Sequence, residues 1–255
     1  MNPLPPAFLT APLAHRALHD RSAGRPENSV EAVRAAIAGG YGIEIDIQPS
    51  ADGVPMVFHD YDLARLTGEA GPVAGRSAAE LGAIPLRGGN FGIPTLAQIL
   101  EEVAGRVPLL IEIKDQDGAM GAAVGPLERA VARVLRGYDG PVALMSFNPH
   151  SVAVLAEAAP ERPRGLTTCA YEAKDWPSLH APVRETLREI PDYDRVGASF
   201  ISHLWRDLAR PRVAELRAGG AAILCWTVRS PAEERIARSV AANVTFEGYA
   251  ATRPA

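Results

Sequence analysis

Ile43-Glu44-Ile45-Asp46-Ile47-Gln48-Pro49-Ser50-Ala51-Asp52-Gly53-Val54-Pro55-Met56-Val57-Phe58-His59 is the stretch on which the reading of the fold turns. Its first half alternates strictly, so as a strand it places Ile43, Ile45 and Ile47 on one face and Glu44 and Asp46 on the other. Three isoleucines require a packed layer, which a solvated edge strand does not provide. Two like charges side by side on the opposite face repel unless positive charge lies between them, and a hard divalent cation with oxygen ligands is the usual solution. Residues 107–114, Val-Pro-Leu-Leu-Ile-Glu-Ile-Lys, repeat the pattern, with Glu112 and Lys114 on one face and Ile111 and Ile113 on the other. A solvated strand end accounts for either run alone; two such runs favour a metal site.

Working outward, strand-like runs are predicted at 11–15, 42–48, 108–113, 142–147, 163–168, 196–201, 222–228 and 243–246. Helices are predicted at 30–38, 96–104, 126–136, 149–158, 183–189, 212–218 and 231–240. Asn28 or Ser29 can cap the first helix and Gly39-Gly40 can end it. Strand-helix alternation requires parallel strands joined by right-handed crossovers. Eight repeats in this length point to a closed (β/α)8 TIM barrel within α/β, with an open doubly wound sheet as the alternative. A barrel gathers functional side chains at the C-terminal ends of its strands, where His15, Glu44, Asp46, Glu112 and Lys114 fall. The domain expected is a single barrel over 1–255 carrying an insertion at about 49–94. That insertion should hold a hairpin-like excursion after Asp52-Gly53 and a short helix at 77–81. The tail at 249–255 reads as loose.

With 255 residues, 47% of them hydrophobic, the chain can fill a sizeable core, and its net charge of −4 gives no basic field for nucleic acid. An anionic ligand must therefore be held by a few local cations, which directs attention to Arg16 and Lys114. The N-terminus lacks the basic start and continuous apolar core of a secretion signal, and no run is long enough to span a bilayer, so a cytoplasmic location is expected. Cys169 and Cys225 lie far apart among apolar residues and read as reduced, buried thiols.

Taken in order, several short motifs resemble those of the glycerophosphodiester phosphodiesterase family. They are His15-Arg16, Pro26-Glu27-Asn28-Ser29, Glu44-Ile45-Asp46 with Asp52-Gly53, Phe58-His59-Asp60, Leu66-Thr67-Gly68, Ile93-Pro94-Thr95-Leu96 and Ile111-Glu112-Ile113-Lys114. A weaker likeness continues through Ser146-Phe147-Asn148 and Cys225-Trp226-Thr227-Val228. The resemblance implies a barrel with an insertion after strand two and metal-dependent hydrolysis of glycerophosphodiesters to glycerol 3-phosphate and an alcohol. It makes Glu44, Asp46 and Glu112 the ligands of one divalent ion, Mg²⁺ or Ca²⁺ with Mn²⁺ also suited. His15 and His59 become the acid-base pair, Arg16 a phosphate contact, and Glu27 and Lys114 supporting or phosphate-binding groups.

Three positions depart from the family's pattern. Ala17 stands where glycine is usual, the 17–25 loop is longer than in many members, and Glu247 follows the last strand where an Asp-containing turn is more usual. Each proposed site residue also has an ordinary role. His15 could be a hydrogen-bonded structural histidine, His59 part of a turn with Asp60, and Arg16 a partner of Glu27. His19, His150, His180 and His203 are expected in surface or core roles and Glu247 in packing; Trp226 can form one wall of the alcohol or glycerol pocket, with core packing the favoured role. Two rival functions accompany the main one: lysophospholipase D-like action on larger lipids, for which Leu86, Phe91 and Ile93 are too few to make a groove, and a non-catalytic phosphate-binding barrel. The oligomeric state is left open.

Overall fold

A computed structural model describes residues 2–253. Eight parallel strands close into a barrel: β1 Leu13–Ala14, β2 Gly42–Pro49, β4 Leu109–Ile113, β5 Val142–Ser146, β6 Arg164–Thr168, β7 Phe200–Leu204, β8 Ala222–Val228 and β9 Asn243–Phe246, with β9 returning to β1. The ninth strand, β3 Pro55–Val57, runs antiparallel to β2 outside that ring. The helices are α1 Ala7–Thr10, α2 Val30–Gly39, α3 Ala78–Ala83, α4 Leu96–Val103, α5 Pro126–Val134, α6 Pro149–Ala158, α7 Ala181–Arg188, α8 Pro211–Ala218 and α9 Pro231–Ala237. Among the described residues no helix is long and apolar enough to cross a membrane.

The helices start where local chemistry supplies partners for their free N–H groups. Ser29 accepts from Ala32 N–H at α2, and Thr95 with Gln98 makes a reciprocal cap at α4. Proline fills the first turn of α5 through α9, where its missing N–H costs nothing. Gly40, at φ +67°, ends α2.

Alternation along the strands divides the core in two. Ile43, Ile45 and Ile47, fully buried, pack outward with Ala32, Val33, Ile99 and Val103 of the surrounding helices. Inward-facing Leu13, Leu110, Ala143, Met145, Phe200 and Leu224 fill the barrel's lower interior, which Phe8 of α1 closes from below. The Phe200 ring lies against Gly165, where an added Cβ would come within 2.5 Å of it. The insertion has an apolar cluster of its own, including Met56, Phe58, Leu63, Leu81, Leu86 and Ile93. Its β2–β3 hairpin and its helix α3, the latter capped by Ser77 and Glu80, fall where the sequence places them.

Two expectations are corrected. The strand expected at 196–201 begins at Phe200, because Gly197, at φ +60°, turns the chain and the local turn bonds of 192–198 use up the backbone before it. This puts His203 inside β7, fully buried, with its ring against Thr168 Oγ1 at 2.8 Å. The tail is tied down through residue 251: the Tyr249 hydroxyl meets Glu234 Oε2 at 3.1 Å, and Tyr41 donates to the Ala251 carbonyl at 3.2 Å. The end of that predicted loose segment, 254–255, lies outside the described residues. Cys169 and Cys225 are buried and free, and burial pushes both thiols up, Cys169 to about 11 and Cys225 to about 12, which disfavours the thiolate at each.

Candidate active site

Register places the acidic residues. Asp46 of β2 lies opposite Glu112 of β4, and both point into the barrel mouth with Glu44. One carboxylate oxygen from each of the three lies within 4.8 Å of the others, and all three side chains are buried. Lys114 Nζ bridges two of them, at 2.9 Å from Asp46 Oδ1 and 2.7 Å from Glu112 Oε1. Burial, then the neighbouring Asp46 and Glu112 charges, drives the Glu44 carboxyl well above the ordinary range. Asp46 goes the other way: its burial is outweighed by Lys114, His59 and Arg16 and by a hydrogen bond from Asn28.

The turn that follows β1 carries the next two groups. Arg16 and Ala17 both adopt left-handed backbone, at φ +52° and +65°, so Ala17 bears a Cβ in a conformation that suits glycine. The turn is held by Arg16 N–H to Glu44 Oε2 at 2.9 Å and Ala17 N–H to the Glu44 carbonyl at 2.9 Å. Arg16 Nη1 meets Glu27 Oε1 at 2.7 Å, the ordinary pairing anticipated for it, while its Nε lies 3.6 Å from Asp46 Oδ2 without a hydrogen-bond partner. Glu27 is shared with Arg65, whose two terminal nitrogens each lie 2.8 Å from it.

The two histidines arrive by separate routes. His15 N–H bonds the Phe246 carbonyl at 2.9 Å, continuing the β1–β9 ladder, so Glu247 stands beside it with Oε2 2.6 Å from His15 Nδ1. The hydrogen bond with His15, with His19 close by, holds Glu247 far below the ordinary carboxylate range, while burial lowers His15 itself. That combination describes a neutral imidazole donating from Nδ1 to an ionised carboxylate, which leaves the lone pair on Nε2. His59 is carried by the insertion: Phe58 N–H bonds the Asp46 carbonyl at 2.9 Å, which returns the next residue to the mouth. Its Nδ1 lies 2.6 Å from Asp60 Oδ1, and Arg65 Nε braces that carboxylate at 2.6 Å.

His15, Arg16, Glu44, Asp46, His59, Glu112 and Lys114 thus line one cavity of about 190 Å³, with Glu27 behind Arg16. A larger cavity of about 680 Å³ adjoins it, sharing His59, Glu112, Lys114 and Phe147 and walled by Tyr61, Met120 and Trp176. Leu86 and Ile93 are instead buried in the insertion's own cluster.

Sequence reasoning missed four positions and ranked the role of a fifth, Trp226, the wrong way round. Asn28 does not cap α2; it anchors Asp46, donating to Oδ2 at 2.9 Å and accepting the Asp46 N–H at 3.3 Å. Gln48 donates to the His59 carbonyl at 3.3 Å. Glu247 is a partner of His15 where core packing was expected, and His19, expected in a bland role, lies 3.8 Å from the same carboxylate. Trp226, for which core packing was favoured over a place in the pocket wall, lines the cavity, with its ring edge-on to Phe147 at 5.5 Å and its Nε1 donating to the Ser202 carbonyl. The departure at Glu247 from the family's usual turn was the available signal for the His15 pairing.

Comparison with known proteins bears on the fold and the family. A glycerophosphodiester phosphodiesterase of Caldanaerobacter subterraneus is 31% identical over 169 residues, covering 62% of this chain and 66% of that protein. An uncharacterized protein of Mycobacterium tuberculosis is 33% identical over 125 residues, covering 43% of this chain; the matched stretch spans only 40% of that protein's length. Among solved structures, an Oleispira antarctica phosphodiesterase in complex with the product sn-glycerol-3-phosphate shares the fold, with a TM-score of 0.75, 23% identity and coverage of 94% of each chain. The profile of the Glycerophosphoryl diester phosphodiesterase family matches residues 15–245, from the rim of β1 into β9, and the chain belongs to that family.

Proposed function

We propose that this protein hydrolyses glycerophosphodiesters to glycerol 3-phosphate and an alcohol, using one divalent ion held by Glu44, Asp46 and Glu112. The observation that carries this reading is the convergence of three buried carboxylates, two histidines and two cations on one cavity. The donor set fits such an ion: all ligands are oxygens, their separation allows bonds of about 2.0–2.6 Å to a shared centre, and Arg16 only partly offsets the burial of Glu44 beside Asp46 and Glu112. Mg²⁺, Ca²⁺ and Mn²⁺ all suit such ligands. When bound, the ion neutralises charge on a phosphoryl oxygen. The glycerol 3-phosphate named with the Oleispira antarctica structure supports the same product here.

The chain's own residues divide the remaining work. Arg16 and Lys114 supply positive charge to the phosphoryl group as its negative charge spreads in the transition state. His15, neutral and with its Nε2 lone pair free, takes the proton from the attacking hydroxyl. His59 gives a proton to the leaving alcohol, because it alone of the two also lines the larger cavity, where an alcohol group has room. Glu247 and Asp60 fix the two rings.

The apolar wall of that cavity, with Tyr61, Phe147, Trp176 and Met120, favours a second reading in which the alcohol part is a larger lipid, as in lysophospholipase D action. A substrate panel separates the readings: glycerophosphocholine, glycerophosphoethanolamine, a lysophospholipid and a simple aryl phosphodiester, each with and without chelator. We expect chelator-sensitive release of glycerol 3-phosphate from the first two. Hydrolysis of the lysophospholipid alone would favour the lipid reading, and binding of phosphate compounds without turnover of any would leave only a phosphate-binding barrel.

A further inference from the structure

Hydrolysis uses His15 through Nε2, and its other ring nitrogen faces a second cluster. Nδ1 of His15 and Nε2 of His19 lie 2.6 and 3.8 Å from one oxygen of Glu247, Oε2, and the ligand atoms of the three residues lie within 4.8 Å of one another. We propose that His15, His19 and Glu247 form a separate binding site for a transition ion of the zinc type, whose occupation silences His15.

Donor chemistry sets this site apart from the acidic one. Two imidazoles and a carboxylate are ligands for zinc and its neighbours, whereas three carboxylates suit magnesium or calcium. Zinc bonds of about 2.0–2.2 Å in tetrahedral geometry place ligand atoms roughly 3.3–3.5 Å apart. The shorter contact would open and the longer one close, each by less than about 1 Å. Arg229 holds the other oxygen, Oε1, at 3.1 Å, which keeps Oε2 turned toward the imidazoles. An approach exists from outside: a cavity of about 570 Å³ is lined by His19, Glu247 and Asp20 but not by the acidic triad. The one arginine on its wall, Arg25, is paired with Asp20 at 3.4 Å. The three side chains are 14%, 24% and 23% exposed, open enough for an ion to enter and keep a water as fourth ligand.

An ion on Nδ1 takes the place of the proton that His15 shares with Glu247, and through solvent that single proton moves to Nε2. The imidazole stays neutral with its lone pair on the ion, and Nε2, now protonated, can no longer accept a proton from the nucleophile. This consequence rests on the reading of His15 as the base; the site itself does not.

The test uses His19→Ala, which removes a side chain 3.8 Å from Glu247 and leaves the 2.6 Å contact between Glu247 and His15 in place, with magnesium saturating throughout. Zinc binding is measured by equilibrium dialysis, and inhibition of glycerophosphocholine hydrolysis by added zinc is measured in parallel. We expect basal activity to be unchanged, with zinc affinity and zinc sensitivity both falling by roughly 10–100-fold or more in the variant. Equal binding and equal inhibition in the two proteins would overturn the site and place zinc on the acidic triad. If binding falls in the variant while bound zinc leaves the wild type fully active, the site stands and His15 is not the base.

Discussion

His15 and His59 reach one cavity from two regions built on different principles. The seam between β1 and β9 fixes His15 by backbone register: Ala14 pairs with Phe246, so the residue after each strand stands beside the other and Glu247 falls against the ring. The insertion has no such ladder at its tip. It delivers His59 through one bond from Phe58 to Asp46, a second from Gln48, and a carboxylate on the next residue that Arg65 braces from outside. The side chain of His15 is 14% exposed and that of His59 30%. A base that must stay neutral gains from the drier wall. An acid that must be reprotonated every cycle gains from the wetter rim, beside the cavity through which an alcohol would leave.

Removing either ring should have the largest effect. We expect His15→Ala and His59→Ala each to lower kcat by roughly 10²–10⁴-fold on glycerophosphocholine while the far-ultraviolet circular dichroism stays that of the wild type. Near-normal kcat in either variant would remove that residue from the chemistry and break the symmetry of the comparison.

A smaller loss should follow from removing the carboxylate behind each ring. Glu247→Gln and Asp60→Asn are each expected to cost about 10–100-fold in kcat, with Glu247→Gln the more damaging. The inner ring is less open to solvent that could take over the role of its partner, and the outer ring is more open. Steady-state kinetics that rank the two variants the other way would contradict the assignment of the drier wall to His15.

The smallest effect tests strain at the inner site alone. Ala17 sits at φ +65° in the turn after His15, a conformation that costs a non-glycine residue about 1–2 kcal/mol. After the added flexibility of the unfolded chain is subtracted, Ala17→Gly should raise stability by about 0.5–1 kcal/mol, read from urea unfolding. A loss of stability would mean that the packing of the buried Ala17 methyl outweighs the backbone term.

How much was legible in the sequence follows the same division. Alternation revealed β2 and β4 with their outward isoleucines and inward carboxylates, because period-two patterning is local. The strand at 196–201 was misplaced because Val196, Ala198, Phe200 and Ile201 are all buried and only the positive φ of Gly197 separates turn from strand. His15, His59, Glu44, Asp46 and Glu112 were found through motifs and alternation, yet their partners were not. Glu247 lies 232 residues from His15, and nothing local indicates that two strand ends adjoin until the barrel closes. Asn28 was read as a cap because Asn before a helix usually is one; only the position of Asp46 above it shows its other use. The apolar cavity was sought in the insertion's Leu86 and Ile93, but it is built from Tyr61, Met120, Phe147 and Trp176, which come from four separate loops.

The central claim is that the buried ring is the base and the exposed ring the acid. It is tested most directly with glycerol 3-phosphate esterified to 4-nitrophenol, whose leaving group needs no proton. The rates of His15→Ala and His59→Ala on this ester are compared with their rates on glycerophosphocholine. The account predicts that His59→Ala recovers most of the wild-type rate on the nitrophenyl ester while His15→Ala stays impaired on both substrates. Recovery by His15→Ala and not by His59→Ala would contradict it.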